Sequence, residues 1–192
     1  AHYLTITPRW WEREDGLKLF QKAVDVGEKI GVNTVVSYIR GGYYDPPTYI
    51  LMSFEKAWKT LVDIVKKAAK YAKDKGVNIS VEPHAGSILQ TIQDTLRLLE
   101  DVAYENVYVC ADTGPAFEIG VKPFMSIRDA VKALGDRLNV VHIKDLVGHK
   151  GFWKMVWYGG GTVNFDEWAE ALKAINYRHF VTVEWEGWFV GG

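Results

Sequence analysis

An α/β fold built on a parallel sheet is predicted by three features of this chain. Short runs rich in β-branched residues alternate with longer amphipathic stretches. Glycines and capping sequences mark the joins between them. No Ser/Pro-rich hinge, charge block or low-complexity linker divides residues 1–192, so a single domain is expected. Parallel strands need a crossover, usually a helix, and the alternation supplies one each time. A doubly wound sheet and a closed barrel both satisfy that pattern.

Taken in order, Tyr3 to Thr7 is the weakest strand candidate. Gly16 to Lys29 reads as a helix closed by Gly31, and Val32 to Tyr38 as a β-branched strand bounded by glycines. Ser53 to Lys75 carries the clearest helical periodicity. Phe54, Ala57, Trp58, Leu61, Ile64, Val65, Ala68 and Ala72 recur at three- and four-residue steps, and Gly76 ends the run. Val77 to Val81, Val107 to Ala111, Asn139 to Ile143 and Phe180 to Trp185 read as further strands. Ser126-Ile127-Arg128-Asp129 and Asn164-Phe165-Asp166-Glu167 resemble N-terminal capping sequences, each leading into apolar periodicity. No candidate strand is followed by the phosphate-binding glycine signature of dinucleotide folds, and Gly159-Gly160-Gly161 is expected to be a loop.

Composition narrows the function classes. The chain is 48% apolar, 14% aromatic and 24% charged, which is globular usage. Its net charge of −1 argues against nucleic-acid and membrane-surface partners, which usually demand a basic excess. Cys110 is the single cysteine, so an internal disulfide is excluded and a cysteine-based zinc site is not expected. No apolar run approaches the roughly 20 residues that span a bilayer. Ala1-His2-Tyr3-Leu4 does not open a secretory signal, and a cytoplasmic location is expected.

The chemistry-bearing residues fall at strand ends. Glu82, Asp112, His142 and Glu184 stand at or near the C-terminal ends of four successive candidate strands, the first three spaced 30 and 30 residues apart. Strand parity separates them from the apolar residues. Ser80, Glu82 and His84 oppose Ile79 and Val81; Cys110 and Asp112 oppose Val109 and Ala111. His142 and Lys144 oppose Val141 and Ile143; Glu184 and Glu186 oppose Val181, Val183 and Trp185. The apolar faces are expected to pack on helices, which in a closed barrel turns the acids and the imidazole inward at the catalytic mouth. Taken singly, a strand-end charge is usually solvated or paired to a loop lysine. Three carboxylates and one imidazole converging on one mouth would repel one another without a cation. Oxygen donors with one imidazole suit Mn²⁺, Mg²⁺, Co²⁺ or Zn²⁺.

Val81-Glu82-Pro83-His84, Cys110-Ala111-Asp112-Thr113-Gly114, Val141-His142-Ile143-Lys144-Asp145 and Val183-Glu184-Trp185-Glu186 resemble the strand-end motifs of the xylose isomerase-like superfamily. That group includes sugar phosphate isomerases and epimerases, ketose 3-epimerases and a trinuclear-zinc DNA-repair nuclease. The resemblance implies a TIM barrel with a divalent metal held by Glu82, Asp112, His142 and Glu184. It also implies that Glu82 and Glu184 act as acid and base on opposite faces of a sugar. One removes the proton α to the carbonyl, giving a metal-stabilised cis-enediolate, and the other returns a proton. A metal-dependent isomerase or epimerase of a sugar or sugar phosphate is therefore expected. A dehydratase of a cyclic polyol ketone and a non-catalytic metal-binding barrel fragment are the rival readings. The departures exclude the nuclease: Pro115 follows Gly114 where family members often carry histidine, Ser37-Tyr38-Ile39-Arg40 offers no histidine, and Gly159 to Val163 offers neither Asp nor His.

Further candidates surround this core. His84 shares the inward face of Glu82 and is either a substrate contact or a hydrogen-bonded mouth residue. Lys144 either anchors a substrate hydroxyl or phosphate or pairs with a carboxylate. Arg40, at a strand end, is a candidate anion contact or a structural ion pair, and Glu186 a candidate substrate contact above the metal. Trp153, Trp157 and Trp188 are read as loop aromatics on the catalytic side, able to stack on sugar or to cover the barrel. Asp145 is a supporting partner or a helix cap, Trp58 and Trp168 are packing residues, and Cys110 is a buried, inert thiol.

Length adds a final expectation. A complete barrel of this type takes about 250 residues, roughly 31 per strand–helix unit. Strand ends near residues 7, 40, 82, 112, 142 and 184 give six units, matching strands three to eight. With no initiating methionine, the barrel is expected to be incomplete, its gap closed by a homo-oligomer partner or by further chain.

Overall fold

The alternation read from the sequence is realised as an all-parallel sheet of six strands with helices between them. The computed structural model describes residues 2–5, 9–40, 52–84, 87–114, 125–149 and 152–185. Their order is β1 (His2–Thr5), α1 (Trp10–Ile30), β2 (Thr34–Arg40), α2 (Phe54–Asp74), β3 (Asn78–Glu82), α3 (Ile92–Val102) and β4 (Val107–Asp112). There follow α4 (Ile127–Leu134), β5 (Leu138–Ile143), β6 (Leu146–His149), β7 (Phe152–Met155), α5 (Phe165–Ala174) and β8 (Phe180–Val183). The large sheet runs β1-β2-β3-β4-β5-β8, and β6 pairs with β7 in a separate antiparallel ribbon.

Local sequence accounts for the helices. At the start of α2 the Ser53 hydroxyl accepts from the Lys56 N–H at 3.3 Å, satisfying one of the orphan donors of the first turn. The helix buries Leu61, Val65, Ala68, Ala69 and Ala72 and ends at Gly76, whose φ of +68° is the left-handed conformation glycine adopts freely. Each buried Leu or Val of this kind contributes about 1.5–3 kcal/mol of transfer free energy. Helix α3, which sequence periodicity left unassigned, opens on a reciprocal capping box. The Thr91 hydroxyl accepts from the Asp94 N–H at 3.1 Å, and the Asp94 carboxylate accepts from the Thr91 N–H at 3.2 Å. Helix α1 begins at Trp10, earlier than the expected Gly16, and closes at Gly31 as read.

The apolar face of the sheet is the core. Ile79, Val81, Val107, Val109, Ala111 and Val141 are fully buried together with α2, α3 and α4 residues such as Leu61, Leu98 and Val131. Trp58 and Trp168 are buried, as packing residues should be. Trp58 also donates its indole N–H to Asp101 at 2.7 Å and lies under the Arg97 guanidinium. The opposite face carries Ser37, Ser80 and Cys110, all buried, and Ser80 donates to Asn139.

Two expectations are corrected. Val181, Val183 and Trp185 do not pack on helices: Val183 is 63% exposed, and among the described residues no element covers that side of β8. Trp153 lies not in a loop but in β7. Gly159 to Gly161 form a turn, in keeping with the loop expected there, and the stretch between β5 and α5 also carries the β6–β7 ribbon. Pro115, Glu186 and Trp188 lie outside the described residues. No described helix is long and apolar enough to cross a membrane.

Candidate metal centre

The parallel register brings the strand-end residues together. Glu82 closes β3, Asp112 closes β4, His142 is the penultimate residue of β5, and Glu184 is the first residue beyond β8. Because β3, β4, β5 and β8 are neighbours, these positions line up: Asp112 pairs with His142, and His142 with Thr182. One ligand atom from each of Glu82, Asp112, His142 and Glu184 lies within 4.8 Å of all the others. His142 Nδ1 is 2.8 Å from Glu184 Oε2 and 3.4 Å from Glu82 Oε1. Glu82 and Asp112 are buried, while His142 and Glu184 are partly open.

Lys144 is 1% exposed, and its ammonium lies 2.5 Å from Asp112 Oδ2 and 3.2 Å from Glu184 Oε2. Of the two roles read for Lys144, this geometry is carboxylate pairing. Thr113 holds the neighbouring backbone, its hydroxyl donating to the Lys144 carbonyl and accepting from the Lys144 N–H, both at 2.8 Å. The Gly114 N–H donates to Asp112 Oδ1 at 2.7 Å, which fixes that carboxylate from the other side.

These contacts leave a residue of unmet demand. Asp112 Oδ2, His142 Nδ1 and Glu184 Oε2 are buried, and none makes a hydrogen bond of acceptable geometry despite the close approaches. Buried polar atoms almost always find partners, and a bound cation is one way such a cluster satisfies its oxygens and imidazole. Three carboxylates and one imidazole at this spacing fit a hard or borderline divalent cation.

The electrostatics follow from burial and proximity. Burial drives the Asp112 carboxyl up to about 6 against the pull of Lys144. Burial also opposes charging of His142, but Cys110, Glu184 and Glu82 outweigh it and raise the imidazole to about 12. Burial would raise Glu184, yet His142 and Lys144 hold it down at about 2. The Cys110 thiol is pushed up to about 12 chiefly by burial, which leaves it inert.

The remaining candidates are placed as follows. His84 packs edge-on against Tyr38, ring centroids 4.9 Å apart, at the end of β3. Arg40 closes β2. Trp157 is 74% exposed and stacks on Trp185 at 4.6 Å, with Trp185 beside Glu184 but on the other strand face by parity. Asp145 caps no helix. Its carboxylate accepts from the N–H groups of Leu146, Gly159 and Gly161 at 2.8–2.9 Å. Tyr158, which the sequence did not single out, places its hydroxyl 2.7 Å from the Glu184 carbonyl and 2.9 Å from the Ile143 carbonyl.

Fold and site together define an α/β protein with a candidate divalent-metal centre at the carboxyl ends of its parallel strands. The chain belongs to the xylose isomerase-like TIM barrel family, whose model matches residues 2–188. It is 32% identical over 174 residues to an L-ribulose 3-epimerase of Methylomonas sp. (strain DH-1), covering 88% of this chain and 55% of that protein. An inosose dehydratase of Geobacillus kaustophilus (strain HTA426) is 26% identical over 140 residues, covering 69% of this chain and 44% of that protein. A crystal structure of D-allulose 3-epimerase from Methylomonas sp., in complex with D-allulose, superposes with a TM-score of 0.72 at 28% identity, covering 90% of this chain and 56% of that one. The chain thus spans about half the length of these relatives.

Proposed function

We propose that this chain carries a divalent-metal centre made by Glu82, Asp112, His142 and Glu184, and isomerises or epimerises a small sugar or sugar phosphate. The observation that carries the reading is the convergence of one ligand atom from each of the four residues within 4.8 Å, at the carboxyl ends of neighbouring parallel strands. A bound divalent ion, Mn²⁺, Mg²⁺, Co²⁺ or Zn²⁺, would supply Lewis-acid stabilisation of the negative charge that develops on the substrate oxygens. Glu82 and Glu184 approach His142 from two different strands, as an acid/base pair on two faces of a substrate requires. One takes the proton from the carbon next to the carbonyl, leaving a cis-enediolate, and the other returns a proton. Lys144 orients the Asp112 and Glu184 carboxylates. His84, Arg40, Trp153 and Glu186 are proposed substrate contacts. A second copy or further chain completing the barrel wall belongs to the same proposal.

Dehydration of a cyclic polyol ketone is the second reading, favoured by the inosose dehydratases among the relatives. It uses the same proton abstraction and then expels water. NMR in D₂O with a panel of free and phosphorylated ketoses and cyclic polyol ketones, in Mn²⁺, separates the two. The isomerase reading predicts deuterium at the carbon next to the carbonyl without loss of water, abolished by EDTA and by Glu184→Gln, and restored by Mn²⁺ or Co²⁺. Loss of water supports the dehydratase. Metal binding without exchange on any substrate overturns both and leaves a non-catalytic barrel.

A further inference from the structure

The Gly159-Gly160-Gly161 run and the buried Asp145 have no part in the proposed chemistry, yet they lead directly to one of its residues. Glu184 sits in an exposed position for a site residue. Strand β8 lies at one end of the sheet order, all four of its residues are exposed, and Glu184 falls beyond its last paired residue, Val183. Among the described residues its strand is paired on one side, to β5, and the backbone at Glu184 is held by that same neighbour. The Glu184 N–H donates to the Ile143 carbonyl at 3.1 Å, and the Tyr158 hydroxyl bridges the Ile143 and Glu184 carbonyls at 2.9 and 2.7 Å.

The backbone on both sides of Tyr158 is in turn held by Asp145. That carboxylate is 1% exposed and accepts from Gly159 and Gly161 through Oδ2 and from Leu146 through Oδ1. The Val156 N–H donates to the Asp145 carbonyl at 3.0 Å, and the Thr162 N–H to the Leu146 carbonyl at 2.9 Å, so both flanks of the turn are tied to the same spot. The glycines are what let the turn close around a carboxylate. Gly159 has φ +85°, and a Cβ at Gly161 would fall inside the Asp145 carboxylate. Asp145 follows His142 and Lys144 on one stretch of chain, so the segment that bears two site residues also fixes a third.

We infer that Asp145 and Tyr158 are positioning residues for Glu184: Asp145 sets the turn, and Tyr158 clips the Glu184 backbone to the end of β5. This rests on the ligand set proposed above. The test measures Mn²⁺ affinity by titration calorimetry, below the unfolding range, for the parent chain, Tyr158→Phe, Glu184→Gln and the double variant. Tyr158→Phe keeps the ring, which packs near Phe165, and removes only the bridging hydroxyl. The inference predicts a Kd raised about tenfold, in line with loss of a partner that orients a metal ligand, with no further loss when Glu184→Gln is already present. Faster amide exchange in a peptide covering residues 180–185 is expected alongside.

Parent-like affinity in Tyr158→Phe, with Glu184→Gln weakened, overturns the positioning role and leaves the ligand set standing. So does an equal loss from Tyr158→Phe in the Glu184→Gln background, because Tyr158 would then act by another route. Parent-like affinity in Glu184→Gln overturns the ligand set and the positioning role with it. A purely structural Tyr158 would lower the thermal midpoint without moving the Kd.

Discussion

Gly161 is where the tolerance of this molecule is smallest. An added methyl group there meets the Asp145 carboxylate and, at 2.7 Å, the Leu146 nitrogen. Neither can yield readily, since the carboxylate is held by four N–H donors, those of Leu146, Gly159, Gly161 and Val163, and the nitrogen is one of them. Gly161→Ala is expected to cost about 1–3 kcal/mol, the range for overpacking a filled site. Urea denaturation reads it as a lower midpoint at unchanged slope, and an unmoved midpoint would mean the turn does not enclose Asp145. At this scale the sequence is uneven as a guide. Glu82, Asp112, His142 and Glu184 were legible because strand ends and parity place acids and an imidazole on one face. The pairing of Lys144 was legible as one of two roles for the same reason. Tyr158 was not, because its partners are backbone carbonyls, which every residue carries and no motif marks.

Among the elements, α3 illustrates a signal present but unread. Thr91 and Asp94 stand at capping-box spacing, and Leu98, Leu99 and Val102 follow on one buried face. Thr91→Ala should cost about 1 kcal/mol of stability and Thr91→Ser very little, because only the first removes the oxygen that accepts from the N–H of Asp94. Equal stability of both variants by thermal melting would show that the box is not holding the helix end. The β6–β7 ribbon was illegible for a different reason. Its strands are four residues each, too short for alternation to stand out, and a glycine interrupts the first. In β8 the alternation is legible in the sequence and its consequence is not. Val181 and Val183 do share a face, but a strand pattern does not say which element packs against it.

For the whole molecule, strand order matters more than any local pattern. The excursion from Leu146 to Val163 and helix α5 separate His142 from Glu184 by 42 residues, yet β8 lies directly beside β5. The fourth site residue thereby joins the three that β3, β4 and β5 supply. The alternation of strands and helices made the parallel sheet legible, whereas the choice between an open sheet and a barrel rested on resemblance to a family. The proposed divalent-metal centre depends on this adjacency of β5 and β8. Anomalous diffraction at the manganese edge, from crystals grown or soaked in Mn²⁺, tests it most directly. A single strong peak is expected about 2.0–2.4 Å from donor atoms of Glu82, Asp112, His142 and Glu184. No peak there at saturating Mn²⁺, or a peak coordinated by other residues, would contradict it.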